Sequence, residues 1–199
     1  MKHTLNNQAK RAGVALAVVA AFAALGSVTV QAAPPAGVPT FTSASISIEP
    51  RGEAAGGLNC SWRETGLGAY AQVTYACDAG AVGVLSACFY KNKLVAGSGT
   101  QLSTFTNVTS EEAEALIAKA NGAINGSTTT AIPEVEVEPH PPELCTEPAV
   151  EQVVVVRWCN ASLKDTTNNL VGATVGELFQ EFTSGVGTVP SCAVLLATP

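Results

Sequence analysis

Three carboxylates stand where strands are expected to end, and two of them together could do chemistry. They are Glu64, Asp78 and Asp165. Two carboxyl groups that face each other across a cleft, about 5 to 10 Å apart, can hydrolyse a glycosidic bond. With Asn168 or Asn169, the same oxygens could also bind Ca²⁺, although no EF-hand pattern is present. Each of the three precedes a turn, where carboxylates usually accept hydrogen bonds from the nearby backbone. A local structural role is therefore favoured over catalysis.

Aromatic side chains near loops form the second candidate for a functional surface. Trp62 and Tyr75 alternate with inward-facing cysteines, so both are expected in the core. Tyr70 and Tyr90 fall near turns, where an exposed ring could stack on a sugar. The candidate surface site therefore combines Glu64, Tyr70, Asp78, Tyr90 and Asp165.

Other catalytic patterns are missing from the sequence. Beyond residue 32 the chain has a single histidine, His140, which lies within the proline- and glutamate-rich stretch 133–144. No G-x-S-x-G motif or phosphate-binding loop occurs. The sequence contains no C-x-x-C pair, so a zinc site is not expected. We therefore predict no catalytic residue, no bound metal and no cofactor.

The first 32 residues have the features of an export signal. Lys2, Lys10 and Arg11 precede an uninterrupted apolar run at 14–25, and small side chains around Ala32 suit cleavage. The alternative is a retained membrane anchor in the same stretch. A signal peptide at 1–32 predicts a protein that is secreted, or held in the periplasm or cell envelope.

Charge and composition limit the possible partners. Without residues 1–32 the chain carries 7 basic and 16 acidic residues, a net charge of -9 over 167 residues. Such a surface repels nucleic-acid phosphates and anionic lipid headgroups, which excludes nucleic acid and membrane as expected partners. The partner is unknown, and an extracellular protein or a carbohydrate fits best.

All six cysteines lie in the exported part, and their even number predicts three disulfides. Six cysteines allow 15 connectivities. Cys60 and Cys77 fall on consecutive predicted strands, so a bond between them is geometrically reasonable. The favoured set is Cys60–Cys77, Cys88–Cys145 and Cys159–Cys192.

Short alternating segments separated by turn residues predict a mainly β protein. Residues 41–48 alternate serine with apolar side chains, and Leu58, Cys60 and Trp62 alternate with polar neighbours. We predict an antiparallel, immunoglobulin-like β-sandwich with one or two short helices, at about 110–120 and 174–183. The expected parts are a spacer and first strand at 33–57, the sandwich at 58–172 and a helical extension at 173–199.

Several motifs resemble a family of small secreted β-sandwich proteins of bacteria and fungi that has no assigned function. They are ETGL at 64–67, VTY at 73–75, the strand ending at Cys88, NGAING at 121–126, Cys145 and RWCNASLKDTTN at 157–168. The resemblance covers roughly residues 58–170. It implies a β-sandwich with a linking disulfide and supplies no catalytic residue. Departures from the pattern are Cys60, Cys77, Cys159, Cys192, residues 111–120 and the tail after Gly172.

These observations predict a secreted, disulfide-stabilised structural or binding module without enzymatic activity. Two alternatives remain open. One is a small carbohydrate-active hydrolase that uses paired carboxylates, and the other is a calcium-stabilised adhesion domain.

Overall fold

A computed structural model describes residues 36–50, 55–110, 114–133 and 145–197. The predicted signal peptide and His140 lie outside the described residues. The elements in this part of the chain are β1 Thr40–Ile48, β2 Leu58–Thr65, β3 Gln72–Tyr90, β4 Lys93–Leu94, β5 Thr100–Val108, β6 Glu114–Ile117, β7 Ile124–Thr130, β8 Val150–Asp165, β9 Leu170–Glu181 and α1 Cys192–Leu195. The protein is mainly β, as predicted.

The strands form two antiparallel sheets. In the first sheet, the order is β1-β2-β7. In the second, β3 pairs with β8, which pairs with β9. Because β8 lies along one edge of β3, the strands β4, β5 and β6 pair with its other edge. The edges of the two sheets meet where Gly172 of β9 lies against the Phe41 ring of β1.

An apolar core lies between the sheets, and its side chains come from every second residue of the strands. Alternate residues of β2 and β3 are buried, and Trp158 of β8 lies among them. Polar bonds cross this core as well. The Trp158 indole N–H donates to the Gly56 carbonyl at 2.8 Å, and Thr130 Oγ1 donates to the Cys77 carbonyl at 2.6 Å. The sheets therefore pack as a β-sandwich, and some of its buried polar groups have hydrogen-bond partners on the facing side.

A second, smaller core covers the outer face of the second sheet. Leu85 and Phe89 of β3 and Val155 of β8 are buried there, beneath Val189 and Leu195 of the C-terminal tail. The tail therefore gives the long strands β3 and β8 an apolar contact on their second face, and this explains why β3 is buried on both faces over much of its length.

Three disulfides connect these layers. Cys60–Cys77 joins β2 to β3 and so links the two sheets. Cys159–Cys192 fixes the tail to β8, and Cys88–Cys145 connects the end of β3 to the segment before β8. These are the pairs favoured from the sequence. Disulfides of this kind form and persist in an oxidising compartment.

Both predicted helices are wrong. Within 110–120, the structure has strand β6, which pairs with residues 72–75 of β3. Residues 174–183 belong largely to β9, which pairs with β8. Gly172, Thr174, Val175 and Gly176 are weak helix formers, and the hairpin from β8 offers the backbone of β9 a ready set of hydrogen-bond partners. Over its described residues, the extension predicted as helical therefore continues the sheet as far as Glu181 and has one short helix, Cys192–Leu195.

Among the described residues, no helix has the length and apolar character needed to cross a bilayer.

Gly83 allows the tail to pack closely on β3, which gives a test of the second core. A Cβ at Gly83 would lie 2.4 Å from Val189 Cγ1, whereas a Cβ at Gly176 of β9 would meet nothing within 4 Å. We expect Gly83→Ala to lower the free energy of unfolding by about 1 to 3 kcal/mol, because the tail must shift. The matched control Gly176→Ala should be neutral or slightly stabilising. Urea unfolding measures both, and equal effects of the two changes would contradict this packing.

Candidate functional site

Two of the predicted carboxylates meet inside the sandwich. Glu64 lies near the end of β2 in the first sheet, and Asp165 ends β8 in the second. Tyr75 of β3 stands opposite Asp165 in the strand register. All three side chains are fully buried, with 0% exposure. We call Glu64, Tyr75 and Asp165 the carboxyl cluster.

The hydroxyl of Tyr75 connects the two sheets within the carboxyl cluster. It donates a hydrogen bond to Glu64 Oε2 at 2.8 Å. The second oxygen of Glu64, Oε1, is buried and has no hydrogen-bond donor among the described residues. Asp165 lies close enough to hydrogen-bond to a protonated Glu64 carboxyl. Because Oε1 is buried without a donor, burial favours the protonated form of Glu64.

Asp165 is held by the turn that follows it. Its Oδ1 accepts the backbone N–H groups of Thr167 at 2.8 Å and Asn168 at 2.9 Å. Its Oδ2 accepts the side-chain amide of Asn168 at 2.6 Å. This is the local backbone role expected for an aspartate at the start of a turn. An ionised carboxylate only accepts hydrogen bonds, and this set of donors suits it.

Burial dominates the electrostatics of the carboxyl cluster. It raises the pKa of Glu64 to about 7; the hydrogen bond from Tyr75 opposes this rise, and the neighbouring Asp165 adds to it. Burial also raises the pKa of the Tyr75 hydroxyl, and the adjacent Glu64 raises it further. Tyr75 is therefore a hydrogen-bond donor at any ordinary pH, and Glu64 is the group that titrates near neutrality.

Aromatic rings surround the carboxyl cluster. The ring of Trp62 lies 4.5 Å from that of Tyr75, and Phe41 of β1 meets Tyr75 edge-on at 6.3 Å. The Trp62 indole N–H approaches the Tyr75 hydroxyl and opposes the rise of its pKa, but it makes no well-aligned hydrogen bond. A carboxyl pair could exchange a proton in such a place, yet a substrate would need these rings to move before reaching it.

The remaining predicted site residues are spread over the molecule. Tyr70 is 70% exposed in the turn between β2 and β3, where its backbone has a positive φ of 60°. Tyr90 is 43% exposed at the opposite end of β3, with Lys91 Nζ 5.1 Å above its ring. Asp78 is half-buried on the outer face of β3, since its neighbours Cys77 and Ala79 point inward. The structure brings together Glu64 and Asp165 and separates the other three.

Sequence reasoning missed the pairing of Tyr75 with Glu64, although a signal was present. Glu64 follows Leu58, Cys60 and Trp62 at intervals of two, so the alternation that places Trp62 inward places Glu64 inward as well. The turn that follows Glu64 favours an interpretation as a turn carboxylate, whereas the period-two alternation of β2 correctly indicates a buried side chain.

The motif segments meet at the same end of the sandwich. The Leu67 N–H donates to the Gly122 carbonyl at 3.1 Å. The Thr74 N–H donates to Thr167 Oγ1, and the Thr74 carbonyl accepts the Thr166 N–H, both at 2.9 Å. ETGL, VTY, NG and DTTN therefore form one hydrogen-bonded set of loops around the carboxyl cluster.

Comparisons with protein-family models, with curated proteins and with solved structures found no match. The family resemblance stays a prediction. Among the described residues, no three histidine, cysteine or acidic side chains are grouped as metal ligands would be.

Removing the Tyr75 hydroxyl should destabilise the fold. Tyr75→Phe leaves a buried carboxyl without its donor, so we expect the free energy of unfolding to fall by about 1 to 3 kcal/mol. The control Tyr90→Phe removes an exposed hydroxyl and should change stability by less than about 0.5 kcal/mol. Denaturant unfolding of both variants measures the difference, and an unaffected Tyr75→Phe would argue against the hydrogen bond.

The raised pKa of Glu64 predicts a pH-dependent stability of known sign. The folded protein holds the Glu64 proton more tightly than the unfolded chain, whose pKa is near 4.5. The stabilisation that this proton gives to the folded protein is therefore fully present below about pH 4.5 and is lost as the pH rises through about 7. The total loss is about 3 kcal/mol.

Glu64→Gln isolates this contribution, because its amide can accept from Tyr75 and donate to Asp165 without titrating. We expect the free energy of unfolding of this variant, relative to that of the wild type, to rise by about 3 kcal/mol between about pH 4 and about pH 8, as denaturant unfolding would measure. A difference that is constant with pH would contradict the raised pKa.

Proposed function

We propose that this chain is an exported, non-enzymatic β-sandwich module that serves a structural or binding role outside the cytoplasm. The observation that carries the proposal is the burial of Glu64 and Asp165. These were the best catalytic candidates, and they do converge. However, both have 0% exposure and their hydrogen bonds run to the protein itself. Their arrangement supports a role in stability.

The disulfides support export. All six cysteines are paired, and the bonds span 17, 57 and 33 residues of sequence. Together with the signal-like residues 1–32, they favour secretion or residence in the periplasm or cell envelope. We further propose an immunoglobulin-like scaffold, because a disulfide between facing sheets lies in the core with Trp62 and Trp158.

Three apolar side chains favour one end of the sandwich as the binding surface. Val38, Tyr70 and Ile117 are the most exposed large hydrophobic residues among those described. Val38 lies against Gly66 at the start of the β2–β3 turn, and Ile117 precedes Ala118, whose N–H bonds to the Ala71 carbonyl beside Tyr70. An extracellular protein or a carbohydrate would contact this end through Tyr70.

One observation favours a hydrolase as the second candidate. Glu64 and Asp165 converge in the core, close enough that Asp165 helps to raise the pKa of Glu64, and a pair of carboxyl groups is what a glycosidase uses. Their burial opposes this function, because the substrate must reach both groups. For a calcium-stabilised domain, the oxygens of Asp165 are already used by the amides of Thr167 and Asn168.

An activity screen tests the proposal against the hydrolase. Purified mature protein would be assayed with glycosidase, esterase and protease substrates, beside Glu64→Gln and Asp165→Asn. We expect no turnover above background in any of the three. Turnover in the wild type that either substitution abolishes, while Asp78→Asn retains it, would establish the hydrolase. A rise in melting temperature with Ca²⁺ that a chelator reverses would establish the calcium-dependent domain.

Reduction tests the role of the disulfides. Each bond should contribute about 2 to 4 kcal/mol by restricting the unfolded chain. We therefore expect a reducing agent to lower the melting temperature of the native protein by many degrees in differential scanning fluorimetry. Titration of the unreduced protein should find no reactive thiol. Six reactive thiols in correctly matured protein, or an unchanged melt after complete reduction, would contradict a module stabilised by its disulfides.

A further inference from the structure

Glu64 is the one carboxyl of the cluster whose hydrogen bonding depends on a proton. Asp165 has three donors within its own turn, and Tyr75 supplies one donor to Glu64. Oε1 of Glu64 has none among the described residues and is fully buried. A buried carboxylate oxygen without a donor is costly, so the protonated form of Glu64, which needs one acceptor fewer to be satisfied, is favoured in the core.

Among the described residues that face Glu64, none is a cation that could replace this proton. From β3 it meets Tyr75, and from β8 it meets Asp165. Its register neighbours on β1 and β7 are Phe41 and Ile124, which carry no charge. Glu114 of β6 stands opposite Tyr75 in the register.

Three cations that belong to this end of the sandwich lie on the surface. Arg63 and Lys164, the sequence neighbours of the two carboxylates, are both exposed, and so is Lys119. Loss of the proton therefore leaves two negative charges side by side in the core.

The position of this pair gives its titration a structural consequence. Glu64 is the second-last residue of β2, before the β2–β3 turn, and Asp165 is the last residue of β8, before the β8–β9 turn. The hydrogen bonds from Leu67 to Gly122 and from Thr166 to Thr74 join these turns to their neighbours. The Cys60–Cys77 bond lies further into the sandwich and holds the sheets together there. Repulsion at the pair would therefore act on the end of the sandwich where the ETGL, VTY, NG and DTTN segments meet, which we call the loop end.

We propose that the proton on Glu64, beside Asp165, acts as a pH-operated latch, which holds the loop end closed when it is present and loosens it when it leaves. The pKa of Glu64, about 7, places this change between mildly acidic and mildly alkaline surroundings. Because Tyr70 belongs to this loop end, the latch would also control the proposed binding surface. The latch itself does not rest on that proposed function, since it can be tested without any ligand.

Hydrogen exchange of the native protein tests the latch. Protection factors, corrected for the intrinsic pH dependence of exchange, would be compared at about pH 5 and about pH 8. We expect the amides of Leu67, Ala118 and Gly122 to lose protection about tenfold or more at the higher pH. The Val95 amide, bonded to the Cys88 carbonyl at the far end of β3, should lose less and serves as the internal reference.

Three variants separate the latch from general charge effects. Glu64→Gln should keep the loop-end protection constant with pH, whereas Asp78→Asn, which removes a half-buried carboxylate on the outer face of β3, should respond like the wild type. Glu114→Gln should respond like the wild type as well. A pH response that persists in Glu64→Gln, or one that Asp78→Asn or Glu114→Gln abolishes, would overturn the proposal.

A direct titration keeps the test independent of any substitution. Carbon NMR of the wild-type protein follows the Glu64 side-chain carboxyl through its ionisation. The latch requires its midpoint well above that of an ordinary glutamate, and Tyr75→Phe should raise that midpoint further by removing a donor to the ionised form. A midpoint at the ordinary value would overturn the latch. If Glu64 had an ordinary midpoint and the protein showed no enzymatic turnover, the latch would be wrong but the proposed non-enzymatic function would stand.

Discussion

Two sheets that share one core must hold a fixed position relative to each other, and here a covalent bond sets that position. Cys60 and Cys77 join the facing strands β2 and β3, and the Cys77 carbonyl also accepts the buried Thr130 hydroxyl from β7. The hydrogen bond from Tyr75 to Glu64 crosses the same gap. Each buried polar link needs both sheets in place, so the disulfide fixes the geometry on which the hydrogen bonds depend.

The carboxyl cluster shows how similar groups can support catalysis or stability. Two carboxyls within hydrogen-bonding reach form a reactive pair in an open cleft and a structural pair in a closed core. In this protein, the rings of Phe41 and Trp62 pack around Tyr75, and the turn amides occupy Asp165. The surroundings of the pair therefore decide its role, and residue types alone do not.

The alternation of side chains was enough to predict a mainly β protein, the core face of β2 and β3 and the Cys60–Cys77 pair, because period two directly reports which residues share a face. The other two cysteine pairs, which the structure also has, did not follow from alternation. It was not enough for β9, where Val175, Leu178, Phe179 and Phe182 match a helical period by chance and the choice depends on pairing with β8. The contact between Glu64 and Asp165 joins residues that lie far apart in the chain. It depends on how the two sheets pack, which local sequence does not encode.

The C-terminal tail gives the molecule an unusual resistance to trimming. The segment between β9 and α1 is partly exposed, and a protease could cut it there. However, the fragment beyond the cut would remain covalently attached through Cys159–Cys192, with Val189 and Leu195 still packed on β3 and β8. A nicked molecule would keep both pieces and its covered sheet face, and the two pieces would separate only after reduction.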